Sequence, residues 1–260
     1  MRLDQALVYH GFLPSRERAK AAILAGEVTV NGAEERKPSR DVSDADALAL
    51  RGQHDYVGRG YLKLRKALDV FAIGVAGKIC MDVGASTGGF TQLLLERGAE
   101  KVYAIDVGTG QLAASLRADP RVVSLEKTDF RAVTPEQMEP CGFACVDVSF
   151  ISLRLILPHL SRLLDKEGRA VCLLKPQFET GSRVKNGIVK DPKEHVRVLN
   201  EVCAAARQEG FFICGLTHSP IAGGEGNIEF LLQLSKNDIK KTIELSINDI
   251  VKLAWEDLKA

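Results

Sequence analysis

The 260-residue chain has little of what would mark several protein classes. Its six cysteines form no C-x-x-C pair; only Cys141 and Cys145 lie close together, and no histidines cluster beside them. The usual zinc and redox patterns are therefore missing, no metal is expected, and Cys80, Cys145, Cys172, Cys203 and Cys214, all within apolar stretches, read as structural thiols. No strictly apolar run exceeds five residues, as at Ala170–Leu174, against the roughly 18 of a membrane helix, so no membrane partner is expected. The N-terminus carries Asp4 and no apolar signal stretch, which makes the cytoplasm the expected location. Charge of either sign is also not in excess, with 35 Lys+Arg against 34 Asp+Glu. With 45% hydrophobic residues, the composition is that of a globular protein and excludes disordered and fibrous classes.

The charge is unevenly placed. Arg51, Arg59, Lys63, Arg65 and Lys66 meet only Asp55, while Lys175, Arg183, Lys185 and Lys190 meet only Glu179. The rest of the chain is net acidic. Two short basic windows are compatible with phosphate binding, although an isolated charge run is more often a solvated face.

Residues 1–51 read as a small α+β unit. Leu3, Ala6 and Leu7 begin a helical face that stops at Gly11, and Ser15 is placed to cap a second helix, Arg16 to Ala25, closed by Gly26. A strand from Glu27 to Val30, an Asn31-Gly32 turn, a basic segment with Arg36, Lys37 and Arg40, and a strand from Ala45 to Leu50 complete it. Residues 52–60, polar and glycine-containing, read as a linker. Residues 61–236 then alternate helices with short, near-continuously apolar strands at 78–83, 101–106, 121–125, 143–148, 169–175, 211–218 and 228–234. That pattern predicts an α/β domain of Rossmann-like type, seven-stranded and mostly parallel, with an antiparallel final hairpin and its ligand at the carboxyl ends of the strands. Residues 237–260 read as a packing helix, with Ile239, Ile243, Ile247, Ile250, Val251, Ala254 and Leu258 on one face.

The chemistry concentrates at strand ends. Asp82-Val83-Gly84-Ala85-Ser86-Thr87-Gly88-Gly89-Phe90 follows the first strand of the larger domain and opens a helix. Glycines there allow a tight turn and close approach of a ligand. Asp82 before the glycines suits a ligand with a positive amino group, and no P-loop signature is present. Asp106, at the end of the next strand, is placed for ribose hydroxyls, and Asp129, after the third, for an adenine edge. The fourth strand ends at Asp147 and the fifth at Lys175, without the Asn/Asp-Pro-Pro-aromatic sequence common in enzymes that methylate exocyclic amines. A lysine in a cleft is costly to desolvate, which favours a neutral amine able to take a proton from a weakly acidic hydroxyl.

Three resemblances follow from these strings. RLDQALVYHGFLPSRERAKAAILAGEVTVNG followed by KPS resembles the S4 RNA-binding domain, which implies RNA contact through Arg2, Arg16, Arg18, Lys20, Arg36 and Lys37. DVGASTGGFTQLLLERGA is similar to FtsJ-type ribose methyltransferases of the class I S-adenosylmethionine-dependent fold. Together with YVGRGYLKL, DVSFISL, LLKPQFE and GNIEFLL, these strings resemble the hemolysin A (TlyA) family from Arg2 to about Ser235. The resemblance implies a ribosomal RNA cytidine 2′-O-methyltransferase acting on 23S and in some members 16S rRNA in ribosomal subunits. It implies S-adenosylmethionine held by Gly84, Ala85, Ser86, Gly88, Gly89 and Asp106, with Asp82, Thr87, Phe90, Asp129 and Asp147 expected beside them, and a catalytic tetrad of Lys63, Asp147, Lys175 and Glu229. In that tetrad Lys175 accepts the proton, Asp147 and Glu229 hold it in place, and Lys63 offsets carboxylate charge. Asp129 departs from the family pattern, which favours Asn. Arg59, Arg65, Lys66, Arg183, Lys185 and Lys190 are expected to track RNA phosphates, and the protein is expected to be a monomer or weak dimer. The competing readings are a non-catalytic RNA-binding assembly factor, a cytolysin, and a small-molecule methyltransferase or dehydrogenase.

Overall fold

In the computed structural model, residues 1–10, 12–13, 15–43, 46–50, 56–181, 187–223, 226–238 and 246–259 are described. They fall into two units, Met1–Asp55 and Tyr56–Ala260. The first holds α1 (Leu3–Tyr9), α2 (Arg16–Leu24), β1 (Val28–Val30), β2 (Ala33–Glu34) and β3 (Leu48–Leu50). The Ser15 hydroxyl accepts the Arg18 amide and caps α2, as its sequence suggested. β1 pairs with β2 across the Asn31-Gly32 turn and with β3 on its other side, all antiparallel. β2 is only two residues long, too short to show a hydrophobic period. Leu3, Leu7, Ile23, Val28 and Val30 form this unit's core.

The second unit runs α3 (Gly60–Val70), β4 (Ile79–Val83), α4 (Gly89–Glu96), β5 (Lys101–Ile105), α5 (Ala114–Arg117), β6 (Val122–Leu125), β7 (Cys141–Val146), α6 (Leu153–Leu163), β8 (Leu164–Leu174), α7 (Pro192–Gln208), β9 (Phe212–His218), β10 (Phe230–Ser235) and α8 (Ile247–Lys259). Its strands form one sheet in the order β6-β5-β4-β7-β8-β10-β9. All adjacent pairs are parallel except those of β10, which runs antiparallel to both β8 and β9. The expected antiparallel hairpin is present, and its second strand inserts between β8 and β9.

Strand residues alternate between two cores. Met81, Val83, Ala144, Val146, Cys172, Leu174 and Phe230 face α6, α7 and α8. Cys80, Phe143, Cys145, Val171, Leu173 and Leu231 face α3 and α4. This period of two on a sheet covered on both faces explains why the strands read as continuous apolar runs. All six cysteines are buried and free, and burial pushes the Cys80, Cys141 and Cys172 thiols up to about 12, which makes them inert. No helix of the described residues is long and apolar enough to cross a membrane.

One expected boundary shifts. Residues 56–60 of the expected linker belong to the second unit: the Val57 amide donates to Gln92 Oε1 at 2.8 Å, Tyr56 stacks on Tyr61 at 5.2 Å, and α3 starts at Gly60. Residues 52–55 lie outside the described residues. The C-terminal helix occupies Ile247–Lys259, packed on α7 and β9, while Ile239 and Ile243 lie outside the described residues.

Two glycines, one in the loop after β4 and one at the first position of α4, are required by packing. Gly84 has φ +85°, and a Cβ there would lie 2.4 Å from the Asp147 carbonyl oxygen. A Cβ on Gly89 would lie 2.8 Å from the Gly58 carbonyl oxygen. Gly84→Ala is therefore expected to lower stability by about 2 kcal/mol or more, from left-handed backbone strain and overpacking. Urea unfolding measures it; an unchanged midpoint would contradict the packing constraint.

Candidate active site

The sheet topology brings three distant acids and bases to one edge. Asp147 directly follows β7 and Lys175 directly follows β8. β10 enters from the opposite direction, and its register, Phe230 opposite Leu174, sets Glu229 across from Lys175. Lys175 Nζ lies 2.6 Å from Asp147 Oδ1 and donates to Ser149 Oγ at 2.8 Å. Lys63 reaches in from α3 and donates to Glu229 Oε2 at 2.6 Å, with both residues buried. The four residues expected as a tetrad thus form two ion pairs. Ser149, which the sequence did not single out, completes the polar surround of Lys175.

Beside this edge a cleft of about 820 Å³ is bounded by the loops after β4, β5, β6 and β7. Gly84, Ser86, Asp106, Asp129 and Asp147 line it. Ala85 borders a small recess beside it, next to Ser86 and Asp106. Asp106 accepts the Ser86 amide at 2.8 Å and the Gly108 amide at 2.7 Å, so its carboxylate is fixed in place with lone pairs to spare. Gln111, Thr128, Phe130 and Ile151 also line the cleft and were not foreseen, because loop residues without periodicity carry no sequence signal for the direction they face.

Several expected cofactor residues build the cleft without lining it. Asp82 is fully buried, and its Oδ2 accepts both the amide and the hydroxyl of Thr91, at 2.9 and 2.7 Å. It ties the strand to the start of α4, which corrects the expectation that it meets a ligand amino group. Burial, with a smaller contribution from Asp147, pushes its carboxyl up to about 7. Thr87, Gly88, Gly89 and Phe90 likewise lie outside the cleft lining; Gly89 and Phe90 pack against the 58–61 segment. Asp129 is held by Arg131 Nη2 at 2.6 Å and caps the turn at Phe130–Ala132, and those bonds hold its carboxyl below the usual carboxylate range.

Phe150 stands at the rim of the cleft, 91% exposed and with φ +63°. Its ring centroid lies 5.0 Å from that of Phe178, which follows Lys175 by three residues. A large apolar side chain held in solvent by left-handed backbone is an outlier of the kind that clusters at functional sites.

The basic residues divide. In the first unit, buried Asp4 binds Arg2 Nε at 3.0 Å and Arg16 Nη2 at 2.9 Å, so both arginines anchor the unit's own fold. Arg36 pairs with Glu34 at 2.7 Å. Arg18, Lys20 and Lys37 are exposed and form no ion pair among the described residues. In the second unit, Arg59, Arg65 and Lys190 are exposed, with the Arg65 guanidinium over the Tyr61 ring. Lys66 is corrected: it is half-buried near Asp257 and His218, and burial lowers its pKa. Arg183 and Lys185 lie outside the described residues.

Comparison with known proteins agrees with this architecture. Residues 56–236 match the FtsJ-like methyltransferase family and residues 1–48 the S4 domain. A Bacillus subtilis protein designated a candidate rRNA methyltransferase, YqxC, is 49% identical over 238 residues, 90% of this chain and 85% of its own length. The 16S/23S rRNA (cytidine-2′-O)-methyltransferase TlyA of Mycobacterium tuberculosis is 42% identical over 258 residues, covering 97% of this chain and 96% of the relative. Among solved structures, a candidate hemolysin of Streptococcus thermophilus superposes with a TM-score of 0.81 at 45% identity, covering 100% of this chain and 97% of that one.

Two outcomes are expected from the geometry. Removing one partner of the Lys63–Glu229 pair leaves a buried charge, so Lys63→Met or Glu229→Met alone should cost about 3–5 kcal/mol, and the double variant should recover much of it. Additive losses in a double-mutant cycle would contradict the pairing. For Asp82, the folded state holds the proton more tightly than the unfolded chain, so its contribution to stability is full at acid pH and is lost as the pH rises through about 7. Asp82→Asn should remove a loss on the order of 4 kcal/mol between pH 4 and 7.5. Parallel pH profiles of urea unfolding for the variant and wild type would refute the buried-carboxyl account.

Proposed function

The chain belongs to the FtsJ-like methyltransferase family, with an S4 domain ahead of the catalytic unit, and from that premise we propose that it methylates a ribose 2′-hydroxyl of ribosomal RNA from S-adenosylmethionine. The observation that carries this reading is the convergence of Lys63, Asp147, Lys175 and Glu229 at one sheet edge beside the cleft. The near-full-length similarity to a cytidine-2′-O-methyltransferase supports cytidine as the nucleotide.

The cleft fits the cofactor. Its volume is that of a nucleoside-sized site. The fixed Asp106 carboxylate suits two vicinal hydroxyls, and Gly84 lets the backbone approach closely. When bound, S-adenosylmethionine supplies an electrophilic methyl group, whose bond to sulfur breaks as the bond to the ribose oxygen forms. The chain's own work is placement. Lys175 directs its Nζ toward the edge where the hydroxyl arrives and is held there by Asp147 and Ser149. Held in this way, it donates toward the hydroxyl oxygen, orients its lone pair and stabilises negative charge on it, while the hydroxyl proton passes to water as the oxygen–carbon bond forms. The proton-acceptor role read from the sequence requires the amine first to give up its own proton; the pair with Asp147 favours the orienting role. Lys63 and Glu229 hold the neighbouring strand end rigid, and alignment of the reacting atoms carries most of the rate gain. Phe150 offers an exposed face on which the target base can stack.

RNA capture falls to the S4 unit, through Arg18, Lys20 and Lys37, and to Arg59, Arg65, Arg183, Lys185 and Lys190 around the catalytic unit. Arg2 and Arg16 contribute from the outer faces of their pairs with Asp4.

The test is transfer of labelled methyl groups to ribosomal subunits under single-turnover conditions. Lys175→Ala should lower the rate by about 10²-fold or more, with S-adenosylmethionine affinity little changed. Turnover within a few-fold of wild type would remove Lys175 from the mechanism.

A further inference from the structure

Among the described residues of the catalytic unit, Glu179 is a buried acid that neither the two ion pairs nor the cleft uses. It is 4% exposed and lies four residues after Lys175, at the end of a single turn, Pro176–Phe178. Its side chain reaches across to the start of α6. Oε2 accepts the Ser152 hydroxyl at 2.5 Å, and Oε1 accepts the Leu153 amide at 2.6 Å. Arg154 closes the contact from outside, with Nε 3.4 Å from Oε2 and Nη2 donating to the Glu179 carbonyl oxygen at 3.2 Å. A carboxylate at the first turn of a helix satisfies an otherwise unpaired amide and complements the helix dipole.

What Glu179 joins is the point. The segment it grips, from Val148 to Ser152 and on into Leu155 and Ile156, is one wall of the cleft. The segment it belongs to carries Lys175 and Phe178. The same two segments meet twice more, where Lys175 Nζ donates to Ser149 Oγ and where the Phe150 and Phe178 rings approach. Those two contacts involve groups that must engage substrate, whereas Glu179 is buried behind them. We propose that Glu179 is a positioning residue for the transfer: it locks the cleft wall to the Lys175 strand end, so that cofactor placement and hydroxyl placement are set by one buried carboxylate. The kinetic part of this proposal rests on the methyltransferase reading above.

Charge-assisted bonds to a buried carboxylate are strong, so Glu179→Ala should weaken S-adenosylmethionine binding by about tenfold or more in isothermal titration. The same variant should lower kcat, counted per folded molecule, and leave the KM for ribosomal subunits unchanged; a smaller folded fraction would also lower apparent kcat, but it would leave the cofactor affinity and the Leu153 exchange of the folded molecules as in wild type. Glu179→Gln keeps the shape and one acceptor for the Leu153 amide, and should restore most of the cofactor affinity. Arg154→Ala removes only the half-exposed partner and should stay within about threefold of wild type. In the cofactor-free protein, hydrogen exchange at the Leu153 amide should accelerate about tenfold or more in Glu179→Ala. Cofactor affinity, kcat and Leu153 exchange all within twofold of wild type in Glu179→Ala would overturn the proposal, as would a change confined to the KM for subunits. If Glu179→Ala fails to fold, a Glu179→Gln variant that folds yet recovers neither affinity nor kcat would overturn it. A wild-type protein that transfers no methyl group to rRNA would sink the functional reading alone, because Leu153 exchange judges the lock without turnover.

Discussion

The catalytic unit is organised around charge withdrawn from water at one edge of a sheet. Two ammonium groups and two carboxylates, Lys175 with Asp147 and Lys63 with Glu229, are paired there at 2.6 Å in largely buried surroundings. Desolvating such groups costs several kcal/mol each, and close pairing offsets that cost only when geometry is held tightly. Much of the fold provides that hold. The parallel strands β7 and β8 deliver Asp147 and Lys175 to the same edge, and antiparallel β10 brings Glu229 to it from the other direction. α3 covers one face and inserts Lys63. An arrangement with this energetic cost and no evident gain in packing fits the proposed role of orienting a reacting hydroxyl.

The glycine-rich loop shows how one motif divides its labour. Its strand-proximal residues, Gly84 and Ser86, face the cleft, while Gly89 and Phe90 press against the 58–61 segment. Asp82 sits beneath both, tying β4 to α4 through Thr91. A short string therefore fixes three things at once: the cleft floor, the start of a helix, and the entry of the chain into α3. That coupling places Lys63, three residues into α3, in fixed relation to the cleft.

Elements whose formation is local were legible in the sequence. Ser15 announces α2 and Asn31-Gly32 announces the β1–β2 turn, because caps and turns are decided by a few adjacent residues. The two-domain order was legible through motifs, and motifs also picked out the four residues proposed here as a tetrad. Strand order was not: β10 lies between β8 and β9 by pairing over long separations, which no local pattern encodes. The direction a carboxylate faces was equally hidden. Asp82 and Asp106 both end strands, yet one is buried under a loop and the other lines the cleft. Lys66 lies three residues after Lys63 in a basic run, but it is half-buried and faces Asp257 of α8 and His218 of β9, far along the chain. Glu179 and Ser149 matter through partners about 26 residues away.

The central claim is that this edge acts on a ribose hydroxyl of ribosomal RNA, and the direct measurement is the chemical identity and position of the mark. Ribosomal subunits incubated with the protein and S-adenosylmethionine are digested to nucleosides for mass spectrometry, and primer extension at limiting nucleotide maps the stops. The account predicts 2′-O-methylcytidine at a defined rRNA position, formed by wild type and formed about 10²-fold or more slowly by Lys175→Ala. A base-methylated nucleoside, or no new methylation on either subunit, would contradict it.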